Sequence, residues 1–233
     1  MENEEFNKEL LKIWEKHKDN VKIKTYPLFL PEFRENCILF IGINPSFSDK
    51  RFDRIAKTNG IKLTKEDLKY PNKEKEDWII QEAIKGEKAA KDKLDYFSKF
   101  RKIAEEIKQE WEHLDLFFFR ETSQNEAKKI IEYKKKNGII KMNDFGKKQL
   151  RLFLETIKKL HPKIIVVSNA LASDILRDEW GIKKLNLDNK EGFQKVDNTP
   201  VFFSGMLTGQ RALDNGSYER LVWHINRALI SVK

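Results

Sequence analysis

The chain has 233 residues, with 46 Lys and Arg against 37 Asp and Glu, a formal net charge of +9 and a pI near 9.3. That length accommodates one α/β domain with a sizeable core, and the basic balance fits an anionic partner, nucleic acid first, as well as it fits simple solubility. A single cysteine, Cys37, excludes an intramolecular disulfide and any paired-cysteine zinc or iron–sulfur spacing, and no apolar run reaches the roughly 20 residues of a membrane span.

The opening MENEEFNKELLKIWEKHK is acidic and then mixed in charge, unlike a signal or transit peptide, so a soluble cytoplasmic protein with no membrane association is expected. Residues 4 to 18 carry Phe6, Leu10, Ile13 and Trp14 at helical spacing and predict a helix covering one face of a core. Ile38-Leu39-Phe40-Ile41 is apolar on both faces and reads as a buried parallel strand, which enters the loop Gly42-Ile43-Asn44-Pro45-Ser46-Phe47. Residues 50 to 93 are rich in Lys, Glu and Asp and read as a helical insertion, solvated rather than DNA-contacting. The helical period resumes over 94 to 110 through Phe97, Phe100, Ile103 and Ile107.

Leu114 to Phe119 predicts the second strand, ending in Arg120-Glu121-Thr122-Ser123. Residues 144 to 160 predict an amphipathic helix with Asp144 as its N-cap. Ile164 to Val167 is the third strand, ending in Ser168-Asn169-Ala170, with another helix from 170 to 178. Val201 to Phe203 is the fourth, ahead of Ser204-Gly205, and a helix near 217 to 230 closes the chain. Strands alternate with helices and neither a repeat nor a linker interrupts them. The expectation is one domain over residues 1–233, a three-layer α/β/α fold with a central, mainly parallel four-stranded sheet.

Ligands of open α/β sheets sit beyond the carboxyl ends of the strands. Four polar, Gly/Ser/Thr/Asn-rich loops fall there: Gly42 to Ser48, Arg120 to Asn125, Ser168 to Ala170 and Ser204 to Arg211. The first carries a resemblance. ILFIGINPSFS resembles the leading motif of the mismatch-specific uracil-DNA glycosylases, an apolar strand followed by Gly-Ile-Asn-Pro-Gly, with Ser46 in place of the second glycine. The later segments are similar in order: an aromatic-rich helix (Tyr96, Phe97, Phe100), DLFFFRETS, HPKIIVVSNALA before a helix, and SGMLTGQRALD where the family has its final motif. The usual His-Pro-Ser or Asn-Pro-Ser of that last motif is absent.

The resemblance implies a uracil-DNA glycosylase-like fold and a monofunctional DNA glycosylase that needs no cofactor or metal. It would hydrolyse the N-glycosidic bond of an altered or mismatched base, uracil-type or modified cytosine, flipped out of double- or single-stranded DNA. Such chemistry passes through an oxocarbenium-like sugar, so it needs a positioned water and hydrogen bonds to the leaving base. By resemblance Asn44 holds the water, and Asp49 is a candidate general base beside it. Gly42, Ile43, Pro45, Ser46, Phe47, Phe97, Arg120 and Asn169 are candidates for the base pocket. Phe47 and Phe97 are accounted for both as stacking faces and as core, and Asn169 both as a base reader and as a helix cap. Ser204, Gly205, Leu207, Thr208, Gly209, Gln210 and Arg211 form the candidate DNA loop, with Leu207 as wedge and Arg211 on phosphate. His17, His113, His161 and His224 share no metal-binding spacing and read as structural. A non-catalytic nucleic-acid-binding module of the same fold stays open beside the enzyme, as do repair and phage defence; a monomer is expected.

Overall fold

The computed structural model describes residues 3–21, 23–45, 49–182, 191–209 and 212–231. Its strands in chain order are β1 (Ile38–Gly42), β2 (Trp111–Asp115), β3 (Lys134–Lys136), β4 (Ile139–Lys141), β5 (Ile164–Val167), β6 (Gln194–Val196) and β7 (Thr199–Phe203). The helices are α1 (Asn3–His17), α2 (Asp49–Thr58), α3 (Glu76–Lys93), α4 (Ser98–Glu106), α5 (Gln124–Ile130), α6 (Asp144–Leu160), α7 (Ala170–Glu179) and α8 (Asn215–Ser231).

The main sheet has the order β2-β1-β5-β7-β6, and β2, β1, β5 and β7 run parallel. β1 and β5 are buried along their whole length, which is why they read as unbroken apolar runs. Alternate residues feed opposite layers. Leu39 and Ile41 join α1, α6 and α7, whose Phe6, Leu10, Trp14, Phe145, Phe153 and Leu176 fill one core. Ile38 and Phe40 meet Phe100 and Ile103 of α4 and Ile225 and Ala228 of α8 on the other face. The chain is therefore α/β with helices on both faces of a mainly parallel sheet.

Four features differ from the sequence expectation. The sheet has five strands rather than four, because Gln194–Val196 pairs antiparallel along β7; three residues of which two are polar carry no strand signal. β2 lies three residues earlier than Leu114 to Phe119, so Glu112, His113 and Asp115 are buried on a strand while Leu116 to Phe119 run beyond it. The N-cap of α6 is Asn143, whose Oδ1 accepts from the Gly146 amide at 2.9 Å, and Asp144 pairs instead with Lys148 at 3.3 Å. The charged insertion is not wholly solvated: Ile79 and Ala83 of α3 pack with Tyr26, Phe29, Leu63 and Leu68. Further along α3, Glu87 pairs with Arg120 at 3.0 Å and Lys91 with Glu112, riveting the helix to the β2 edge.

Asn143 also donates from Nδ2 to the Ile130 carbonyl at 2.9 Å, so it joins two helices as well as capping one. Asn143→Ala should cost about 1–2 kcal/mol, measured as a lower chemical-denaturation midpoint with unchanged slope.

Candidate active site

β1 is the switch point of the sheet: the chain leaves it for β2 on one side and later crosses to β5 on the other. The crevice outside the carboxyl ends of β1 and β5 is where such a sheet offers a ligand site. Asn44 follows β1 there, and Ser168 and Asn169 follow β5.

Beyond the strands, the β1 and β2 segments stay paired. The amides of Leu116, Phe117 and Glu121 donate to the carbonyls of Gly42, Ile43 and Pro45 at 3.2, 3.0 and 3.0 Å. This ladder delivers the Glu121 carbonyl to the half-buried Asn44, whose Nδ2 donates to it at 2.5 Å and to the Pro45 carbonyl at 3.3 Å. Both neighbours are pure acceptors, so the NH2 side of the amide is assigned to them. Asn44 Oδ1 receives no hydrogen bond among the described residues, which leaves an oriented acceptor at the strand tip. Such an oxygen can hold a water by one of its protons.

The second constellation lies under the same loop, and the sequence reading does not single it out. Asp115, the last residue of β2, is in register with Gly42 and only 5% exposed. A methyl group at position 42 would fall 2.1 Å from Asp115 Oδ1 and 3.1 Å from His113 Nε2. Gly42, a candidate for the base pocket, leaves room for this carboxyl. Burial, with Glu87 adding to it, pushes the Asp115 carboxyl up to about 8 against the opposing pull of Lys91. Burial, with help from Lys91, pushes the His113 imidazole down to about 3. The two groups are 4.0 Å apart, but at neutral pH both are uncharged, so this contact is not an ion pair. Among the described residues His113 Nε2 is buried without a hydrogen-bond partner. The Tyr96 phenol is held above its ordinary value by burial and by Asp115, and its ring centroid is 6.1 Å from that of His113. The rings of Phe97 and Phe100 lie at 5.2 and 5.5 Å from the imidazole. The result is a buried pair of hydrogen-bonding groups packed against aromatic rings. A buried carboxyl with so displaced a titration makes Asp115 a candidate functional residue.

The remaining expected residues take a range of places. Ile43 is buried in the core of the α1/α6/α7 face, and Pro45 is half-buried beside Asn44. Phe97 packs against Tyr96, Phe100 and Trp111, so its ring is core. Arg120 is turned onto Glu87. Asn169 caps α7, its Oδ1 accepting from the Leu171 and Ala172 amides at 2.9 and 3.1 Å. Ser204 Oγ donates to the Gly205 carbonyl at 2.9 Å. Leu207, expected as a wedge, is 1% exposed and packs in the α4/α8 core with Phe40 and Tyr218, next to Met206, whose carbonyl accepts from the Leu213 amide at 2.8 Å. Thr208 is half-buried and Gly209 exposed, with φ at +90°. Asp49 begins α2. Ser46, Phe47, Gln210 and Arg211 lie outside the described residues. His113 lies on β2, and His161 is the C-cap of α6 in a left-handed conformation.

Among the described residues no group of three or more His, Cys, Asp or Glu side chains is placed to hold a metal ion, and no helix is long and apolar enough to cross a membrane. No family model, no curated protein and no solved structure matches the chain.

Gly42→Ala forces the carboxyl to shift and should cost about 1–3 kcal/mol, most of it recovered in Gly42→Ala/Asp115→Ala, as a double-mutant cycle in urea would record. The raised Asp115 value also sets a sign. Its neutral form favours the folded state, so its contribution is complete below the ordinary 3.8 and is lost as pH rises through about 8. Melting temperatures of Asp115→Asn should therefore gain on those of the parent chain as pH is raised across that window.

Proposed function

We propose that the chain is a monofunctional DNA base glycosylase of the uracil-DNA glycosylase type. The observation that carries this reading is Asn44: its carboxamide stands at the tip of the central strand, its NH2 is committed to two carbonyls, and its Oδ1 faces no competing donor among the described residues. A water hydrogen-bonded to that oxygen attacks C1′ of the flipped nucleotide. Its oxygen bonds to C1′, the electron pair of the C–N bond leaves with the base, and the base gains the proton that the water loses. Orientation of the water contributes more than proton abstraction, since the sugar cation is itself a strong electrophile.

The neighbouring Asp115 carboxyl supports the same reading. In its neutral form the Asp115 carboxyl donates one hydrogen bond and accepts another, the pairing that a base edge with one acceptor and one N–H requires. The net charge of +9 favours a polyanionic substrate.

The test is release of bases from duplex and single-stranded oligonucleotides carrying uracil, mismatched thymine, hypoxanthine or modified cytosines, with abasic sites revealed by alkali. Asn44→Ala should lower release by about 100-fold or more while leaving DNA affinity near that of the parent chain. Salt-sensitive DNA binding without release from any of these substrates would establish the non-catalytic binding module in its place.

A further inference from the structure

The positive charge of the chain is unevenly placed. Between Lys128 and Lys148 eight lysines stand against Glu132 and Asp144, a net +6 within the chain's +9. At the centre of this stretch is a two-stranded ribbon, β3 and β4, joined by Asn137-Gly138 with φ of +52° and +82°. That dipeptide is a strong hairpin signal, and it turns the chain sharply enough for two three-residue strands to pair.

Register decides what each face of the ribbon carries. Lys135 is opposite Ile140, and this face lies on α7: Lys135 pairs with Asp174 at 3.1 Å, the Ile140 amide donates to Asp178 Oδ2 at 3.2 Å, and the Ile140 side chain packs on the core. Lys134 is opposite Lys141, and Lys136 is opposite Ile139. These four therefore share the other face, and all are exposed, Ile139 at 60%. Among the described residues Lys134, Lys136 and Lys141 make no ion pair, whereas Lys129 and Lys148 are paired with Glu126 and Asp144. Two lysines set directly across a strand pair destabilise it, and a third on the same face adds to the cost. A polyanion laid across the face relieves that repulsion.

The ribbon is also at the right end of the molecule. Its base is pinned where the Asn143 amide donates to the Ile131 carbonyl at 2.9 Å, one residue ahead of the α6 N-terminus. Gln124, at the start of the preceding α5, reaches Asn169 Oδ1 at 3.5 Å, beside the candidate active site. Asp174, which holds Lys135, is five residues along α7 from Asn169, about 7.5 Å at ~1.5 Å per residue.

We infer that the outer face of this ribbon, Lys134, Lys136, Ile139 and Lys141, is a docking surface for the phosphate backbone of duplex DNA flanking the nucleotide in the active site. A narrow two-stranded ribbon is a shape that a DNA groove admits, and unpaired lysines are suited to its phosphates. This surface rests on the reading of the chain as a DNA-acting protein but assigns binding to residues outside the site, so it holds whether or not a base is released.

The experiment compares the full chain with Lys134→Gln/Lys136→Gln/Lys141→Gln by fluorescence anisotropy on a labelled duplex of about 20 base pairs, at several salt concentrations. Three lost phosphate contacts should weaken binding by about 10-fold or more at low salt and make the slope of log K against log salt shallower by about 2 to 3. Lys108→Gln/Lys158→Gln/Lys159→Gln removes the same charge from exposed positions at the opposite end of the sheet and should leave both quantities near those of the parent chain. Equal affinity and slope in the ribbon variant, or an equal loss in the control variant, overturns the assignment. So does a ribbon variant that keeps its duplex affinity but no longer binds phosphatidylserine vesicles. Base release from a single-stranded trinucleotide reads the active site without the ribbon: its absence in the parent chain counts against the glycosylase reading alone, and anisotropy still decides the ribbon.

Discussion

The close approach of Asp115 to Gly42 organises this end of the molecule. Where β1 has no side chain, the neighbouring strand places a carboxyl, and the two backbones stay in hydrogen-bonded step for several residues past the sheet. That step brings the Glu121 carbonyl under Asn44 and orients its amide. A side chain at position 42 would displace the carboxyl first.

The buried Asp115 and His113 illustrate how burial decides protonation. Asp115 and His113 are near enough to form an ion pair, yet the desolvation of both groups outweighs their mutual attraction, and each is moved toward its neutral state. Charge nearby is instead handled at the rim, where Glu87 meets Arg120 and Lys91 meets Glu112. These pairs tie the charged insertion to the sheet edge. A neutral interior with donors and acceptors suits a heterocyclic ring better than a phosphate, whereas the ribbon of β3 and β4 offers the reverse: full exposure and unpaired positive charge. On the proposed reading, base and backbone recognition separate onto different parts of the fold.

Much of the architecture is legible in the sequence because it depends on local pattern. The runs Ile38 to Ile41 and Ile164 to Val167 are apolar on both faces, as strands covered on two sides must be, and the amphipathic spacing of residues 144 to 160 leads directly to α6. Asn44 stands out by its place after the leading strand. By contrast, pattern alone puts β2 three residues late, because the most apolar stretch, Leu116 to Phe119, is buried without being in the sheet, while the strand itself carries Glu112, His113 and Asp115. Asn137-Gly138 between lysines and isoleucines is a hairpin signal that the charge of its surroundings obscures.

The sequence by itself determined the α/β alternation, the buried central strands and the loop that presents Asn44, since each follows from periodicity and from residue types acting within a few positions. Only the tertiary structure decided that Asp115 lies against Gly42, that Leu207 turns inward and that three lysines share one open face of a ribbon. Those outcomes depend on register and burial between segments distant in the chain, and it is there that a carboxyl loses its water and its charge.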